Sequence, residues 1–223
     1  AVSAHHAEVT IVRIDSESIE GGNASAIIGE VDGILIPGGF GDRGIEGKIL
    51  AAQYARSTGI PYLGICLGMQ VATVEFARNV CHLDGAHTTE CDKDTPHPVI
   101  SLQEEQKGVK DMGATMRLGS CDSIVHPGTL AANLYGGEQT IKERHRHRYE
   151  FNPAYLEQLK EAGLIISSIS AEEGLVEIIE LADHPFYIGA QFHPEFQSKP
   201  NRPHPLFSGF VKASLESTAA GSA

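Results

Sequence analysis

Tryptophan is absent from the 223 residues, and aromatic residues make up only 6% of them. Cations are scarce as well: 17 Lys and Arg stand against 29 Asp and Glu, a net charge of -12. That balance argues against nucleic acid or an anionic membrane as the partner, because both repel a polyanion. No apolar run approaches the ~18 residues of a membrane span, and no signal-peptide pattern opens the chain. The four cysteines, at 66, 81, 91 and 121, form no CxxC pair. They read as reduced thiols of a cytoplasmic protein rather than a disulfide framework. Cys81, Cys91 and Cys121 suit small buried apolar positions; Cys66 does not. Apolar content of 41% is enough for one sizeable core.

Cys66 stands in Gly64-Ile65-Cys66-Leu67-Gly68-Met69-Gln70. The apolar run from Ile60 to Ile65 ends at the cysteine, and a helical pattern follows at once. Glycines two residues to either side reproduce the G-x-S-x-G elbow with sulfur in place of oxygen. Such a strand-to-helix turn leaves no room for Cβ atoms beside the nucleophile. The helix N-terminus behind it is expected to lower the thiol pKa and to offer N–H groups to an oxyanion.

Along the chain, Glu8 to Ile14 alternates and predicts a strand; Asn23 to Glu30 predicts a short helix. Gly33 to Ile36 reads as a buried strand, Ile45 to Ala55 as a helix, 60–65 as a strand and 67–79 as a helix. This alternation predicts an α/β fold, a doubly wound, mostly parallel sheet flanked by helices. The middle predicts short strands at Pro98–Leu102, Ala114–Leu118 and Ser120–Val125, a helical turn at Ala131–Tyr135, and a strand at Arg144–Phe151. Then come a helix at Tyr155–Ala162, strands at Leu164–Ile169, Leu175–Leu181 and Phe186–Phe192, and a closing helix at Pro205–Leu215. Residues 1–216 read as one domain and 217–223 as a disordered tail. A doubly wound domain usually begins with a strand and a helix, so a first strand is expected ahead of residue 1.

A nucleophilic thiol needs a base. His193, in Gln191-Phe192-His193-Pro194-Glu195-Phe196, follows an apolar strand and so falls at the same sheet edge as Cys66. Glu195, two residues on, is placed to hold its second ring nitrogen, which is triad logic with glutamate as the orienting acid. By itself His-Pro-Glu reads as a capped loop histidine; the Cys66 elbow tips the reading to chemistry. Pro37-Gly38-Gly39-Phe40-Gly41 also ends a buried strand, and its backbone N–H groups suit a second oxyanion donor besides that of Leu67. The segment ending Gly47-Lys48 fails as a phosphate loop, with Asp42 in place of the first glycine and Ile49 in place of Ser/Thr. Nucleotide hydrolysis by this chain is therefore excluded.

Glu143-Arg144-His145-Arg146-His147-Arg148-Tyr149-Glu150 is a basic island in an acidic chain. On a strand its arginines share one face and its histidines the other. A solvated strand balancing acidic neighbours accounts for most of it; one arginine gripping a substrate carboxylate is the sharper alternative.

These four motifs, with Pro203-His204-Pro205-Leu206-Phe207-Ser208-Gly209-Phe210, resemble the class I glutamine amidotransferase domain of the CTP synthase family. The cysteine elbow and His-x-Glu are general to class I amidotransferases; the Arg-His run and residues 39–48 point to the CTP synthase branch. The resemblance covers essentially the whole chain. It implies a flavodoxin-like fold and hydrolysis of L-glutamine to glutamate and ammonia through a glutamyl thioester, with Cys66, His193 and Glu195 as the triad. Gly39 and Leu67 would form the oxyanion hole, Phe40 would line the pocket, and Gln70, Glu90 and Arg148 would bind the amino and carboxylate groups of glutamine. Neither metal nor cofactor is implied for this domain. ATP, Mg and UTP would serve a synthetase domain that aminates UTP to CTP, GTP would activate allosterically, and the full enzyme would be a homo-oligomer. Rival readings are a cysteine hydrolase of the intracellular-protease type, an amidotransferase for GMP or another synthesis, and an inactive module. The first two lack the run at 143–150; the third predicts a lost triad residue.

Overall fold

The computed structural model describes residues 1–21, 23–102 and 116–221. Its centre is strand β2 (Tyr62–Ile65), buried along its whole length and paired in parallel on both sides. One neighbour is β1 (Ile34–Ile36), the other β10 (Tyr187–Ala190). From β10 the sheet continues antiparallel through β9 (Val176–Leu181), β8 (Leu164–Ser170), β5 (Arg117–Val125) and β6 (Thr140–His147), seven strands in all. The sheet is thus mixed, and the parallel arrangement is confined to the three strands that carry the site. A second, three-stranded sheet orders β3 (His87–Thr88), β4 (Pro98–Leu102) and β7 (Tyr149–Phe151).

Period-two alternation explains the layers. Tyr62 of β2 and Tyr187 of β10 stack at 4.4 Å on the face covered by helices α2 (Ile45–Thr58) and α3 (Leu67–Asn79). Leu63, Ile65, Ile188 and Ala190 face the opposite core, under α4 (Leu130–Leu134) and α6 (Pro205–Gly221). Helix α3 is buried at every position from Leu67 to Ala77, as its apolar residues all round require. Its one buried carboxylate, Glu75, is gripped by Arg56 of α2 through contacts of 2.7, 2.9 and 3.1 Å.

Short α1 (Ala24–Ile28), capped by Asn23, and α5 (Leu156–Glu161) lie inside their sequence ranges. Three ranges differ. Residues 8–14 form no strand: they are unpaired among the described residues, and Val9, Ile11 and Val12 are exposed. Alternation supplies two faces but not the hydrogen-bonding neighbour a strand needs. Val12 and Ile14 instead line a groove of about 260 Å³ together with Ile34–Ile36 of β1. The expected single strand at 144–151 is two, because the chain changes sheets at Arg148: β6 pairs with β5, and β7 with β4. Helix α6 runs past Leu215 to Gly221, through part of the expected tail. The expected strand at Ala114–Leu118 lies partly outside the described residues; Arg117 and Leu118 open β5.

Candidate active site

Cys66 sits between β2 and α3 with φ +52° and ψ −101°. For a residue with a Cβ this is strained backbone, of the kind held only where surrounding structure enforces it. The enforcement is visible. The Cys66 N–H donates to Ala190 O at 2.7 Å, tying the elbow to β10. A Cβ on Gly64 would lie 2.6 Å from the Gly68 backbone, and one on Gly68 would lie 2.2 Å from Ile36 O. Both glycines are therefore required by backbone crowding, as the elbow pattern predicts.

His193 follows β10, and its N–H donates to Arg144 O of β6 at 2.8 Å. Its Nδ1 contacts Glu195 Oε1 at 2.6 Å. Burial raises the Glu195 carboxyl, but the hydrogen bond from His193, the residue's own backbone N–H and the nearby His193 and His204 rings together outweigh it and hold the acid below its ordinary range. An ionised Glu195 accepts, so Nδ1 carries the proton and Nε2 offers its lone pair. That Nε2 is buried and has no hydrogen-bond partner among the described residues. His193 and Cys66 both pack against Gly38: a Cβ there would stand 2.7 Å from His193 Cε1 and 3.5 Å from Cys66 Cβ. Gly39 abuts the start of α3, its added Cβ falling 3.1 Å from Leu67 Cδ2. The two residues expected to supply the oxyanion donors thus lie close together.

The thiol itself departs from expectation. Burial pushes Cys66 up to about 12, although the Leu67 N–H pulls the other way. The helix terminus acts in the expected direction but loses to desolvation and to the carboxylates of Glu150, Glu195 and Glu90. Burial therefore favours the protonated thiol, which calls for a neighbouring base to take its proton as it reacts.

Around this centre the remaining sequence candidates converge. Glu90 Oε1 accepts from the Gly41 N–H at 2.9 Å, pinning the glycine turn. Gln70 Nε2 donates to Tyr149 O at 3.0 Å and to Gln191 Oε1 at 3.1 Å. Arg148 is half-buried at the sheet change, and it and Glu90 both act on the Tyr149 hydroxyl. Phe40 is half exposed beneath the Arg146 guanidinium, 6.0 Å from its ring centre. Opposite charges, Glu90 and Arg148, thus both act on Tyr149, and Glu90 lies within electrostatic range of Cys66.

Sequence reasoning missed Gln191 and the Tyr149 carbonyl, which together orient Gln70, and the buried role of the histidines. His145 and His147 are not solvated; they point inward among carboxylates. Alternation from Arg144 to His147 carried that signal, but Glu177, the partner of His145, and Arg117, which donates to Glu177, had no local pattern. Among the described residues no group of three or more His, Cys, Asp or Glu could hold a metal ion.

An elbow cysteine and a carboxylate-held histidine that both pack against Gly38 suit a cysteine-nucleophile enzyme, and the class within it is given by comparison with known proteins. The family profile described as Glutamine amidotransferase class-I matches residues 1–213, and the chain belongs to that family. Its relatives include CTP synthase of Halalkalibacterium halodurans, 57% identical over 212 residues, covering 95% of this chain and 40% of that protein. CTP synthase of Archaeoglobus fulgidus is 54% identical over 94% of this chain and 39% of its own length. The chain thus spans about 40% of the length of the curated relatives it matches. Among solved structures, the Trypanosoma brucei CTPS glutaminase domain with bound acivicin superposes with a TM-score of 0.89, at 40% identity, over 96% of this chain and 83% of that one. A Thermoplasma acidophilum protein described as a putative GMP synthase component shares the fold, with a TM-score of 0.58 at 18% identity, over 97% of this chain and 86% of that one.

Proposed function

We propose that this chain is the glutaminase component of a CTP synthase, hydrolysing L-glutamine and delivering ammonia to a synthetase domain that aminates UTP. The observation that carries the reading is the meeting of strained Cys66 and Glu195-held His193 around Gly38. His193 Nε2 takes the thiol proton as Cys66 Sγ attacks the side-chain amide carbon. The oxyanion accepts from the N–H groups of Gly39 and Leu67. The amide nitrogen takes the proton from His193 and leaves as ammonia; a glutamyl thioester remains. His193 then takes a proton from water, whose oxygen displaces Cys66, and returns that proton to the departing sulfur, releasing glutamate and restoring the thiol. Glu90 pairs with the substrate ammonium and Arg148 with its α-carboxylate, which selects free glutamine over a peptide-bound residue; Gln70 and Phe40 complete the pocket.

This chemistry needs no cofactor in the domain, which we assign to residues 1–216. ATP, Mg and UTP belong to the synthetase domain, GTP acts as allosteric activator, and the full enzyme is a homo-oligomer. No helix among the described residues is long and apolar enough to cross a membrane, and all four cysteines are free; we place the activity in the cytoplasm. The test is mass spectrometry after exposure to 6-diazo-5-oxo-norleucine, a reactive glutamine mimic. Labelling confined to Cys66, with glutaminase activity lost in Cys66→Ala, is the expected result. Retained turnover in Cys66→Ala refutes the nucleophile assignment.

A further inference from the structure

Behind the proposed triad lies a second His–Glu cluster that the reaction above does not use. It gathers Arg117 of β5, His145 and His147 of β6, Glu150 of β7 and Glu177 of β9. Glu177 is fully satisfied on its two oxygens, by Arg117 Nη1 at 2.7 Å and His145 Nε2 at 2.6 Å. Glu150 is not. Its Oε1 contacts His147 Nε2 at 2.6 Å, Arg117 Nη1 stays 3.6 Å away, and Oε2 has no partner among the described residues. Glu150 is 1% exposed, so that bare oxygen meets no solvent. An ionised carboxylate in this position would leave two buried anions for one guanidinium, one of them without compensation for its lost hydration. A neutral acid removes the imbalance: Arg117 and Glu177 then form a balanced pair, and the Glu150 hydroxyl supplies the one proton its contact with His147 requires.

The cluster is coupled to the reacting residues. Ionised Glu150 is one of the charges that oppose a thiolate at Cys66, and His193 is one of the groups acting on His147. The ring of His145 lies edge-on to Phe192, next to His193, at 6.1 Å. The groups facing Glu150 are Arg117, His145, His147 and Glu177, with Glu173 beyond Arg117 at 3.7 Å and Cys66 in electrostatic range.

We propose that Glu150 is a positioning residue that keeps its proton, donating it to His147 Nε2, so that no carboxylate charge stands behind Cys66 as its thiol ionises. The inference rests on the reading of Cys66 as nucleophile. The same burial holds the Glu150 carboxyl up at about 8.

Infrared titration of the 223-residue chain tests the protonation without any variant. A protonated-carboxyl band that persists at neutral pH and disappears through about 8 is expected, since Glu150 is the one described acid raised to that range. Glu150→Gln, a neutral isostere, should lack the band. It should also alter the alkylation of Cys66 by iodoacetamide, with Cys66→Ala as the blank for the other thiols. Wild-type alkylation should rise less steeply with pH once Glu150 ionises, whereas Glu150→Gln should keep rising, ending about threefold or more faster. No protonated-carboxyl band at neutral pH, or slower alkylation in Glu150→Gln, overturns the proposal. Neither readout requires glutamine turnover: failure to hydrolyse glutamine with the band present would sink the glutaminase reading and leave the protonation of Glu150 standing.

Discussion

The side chain at Gly38 is a single hydrogen because a Cβ there would stand 2.7 Å from His193 Cε1. Gly38→Ala must push the imidazole away, and a misplacement of about 1 Å at a reacting pair costs up to ~10²-fold. We expect kcat for glutamine hydrolysis to fall by at least about tenfold with the thermal midpoint little changed; steady-state kinetics beside a thermal melt would show whether it does. Arg148 gives the complementary case. Losing a charged hydrogen bond to the substrate carboxylate is worth about 1.5–3 kcal/mol, so Arg148→Ala should raise KM while leaving kcat nearly intact. An unchanged KM would make Arg148 structural. The identity of these two residues was legible in sequence, one as a turn glycine and one in the basic run. Their opposed effects were not, because crowding at Gly38 arises only when β1, β2 and β10 are side by side.

At the scale of the element, β5, β6, β7 and β9 hold their shape around buried charge. Arg117 serves both Glu177 and Glu150, so Arg117→Met strands a buried carboxylate. A destabilisation of about 3–5 kcal/mol is expected by urea denaturation, smaller in the Arg117→Met/Glu177→Gln double variant. The His147–Glu150 contact sets a pH dependence with two limbs. Burial, reinforced by His145, pushes His147 down from 6.5 to about 3. As pH falls below 6.5 the unfolded chain takes that proton first, so the folded state loses stability down to about 3. Glu150 behaves oppositely: the unfolded acid releases its proton near 4.5, the folded one near 8, so stability falls as pH rises between them. The two slopes oppose each other from 4.5 to 6.5, leaving declines below and above. Urea midpoints against pH should show the upper limb in the wild type and its absence in Glu150→Gln; a persistent limb would assign it to another group. The strand alternation from Arg144 to His147 was readable. The break at Arg148 was not, since continuing apolar–polar alternation cannot signal that the next strand has joined a different sheet.

Over the whole molecule the net charge of -12 makes self-repulsion a folded-state cost. Added NaCl should raise the thermal midpoint by screening it, while the buried pairs Arg56–Glu75 and Arg117–Glu177 stay unscreened. A midpoint that falls with salt would mean that surface ion pairs such as Arg43–Glu17 matter more than net repulsion. At this scale the sequence by itself determined the elbow, the placing of Cys66 and His193 at strand ends, and the α/β class. Each depends on residues adjacent in the chain: glycine spacing, an apolar run's end, a period of two or 3.6. The tertiary structure alone decided that the sheet turns antiparallel beyond β10, and that residues 8–14 remain unpaired despite alternating. It alone decided that burial overrides the helix terminus at Cys66, and that Arg117 and Glu177, 60 positions apart, meet over Glu150. Pairing, desolvation and buried charge balance depend on which distant segments share a boundary, and no local pattern records that.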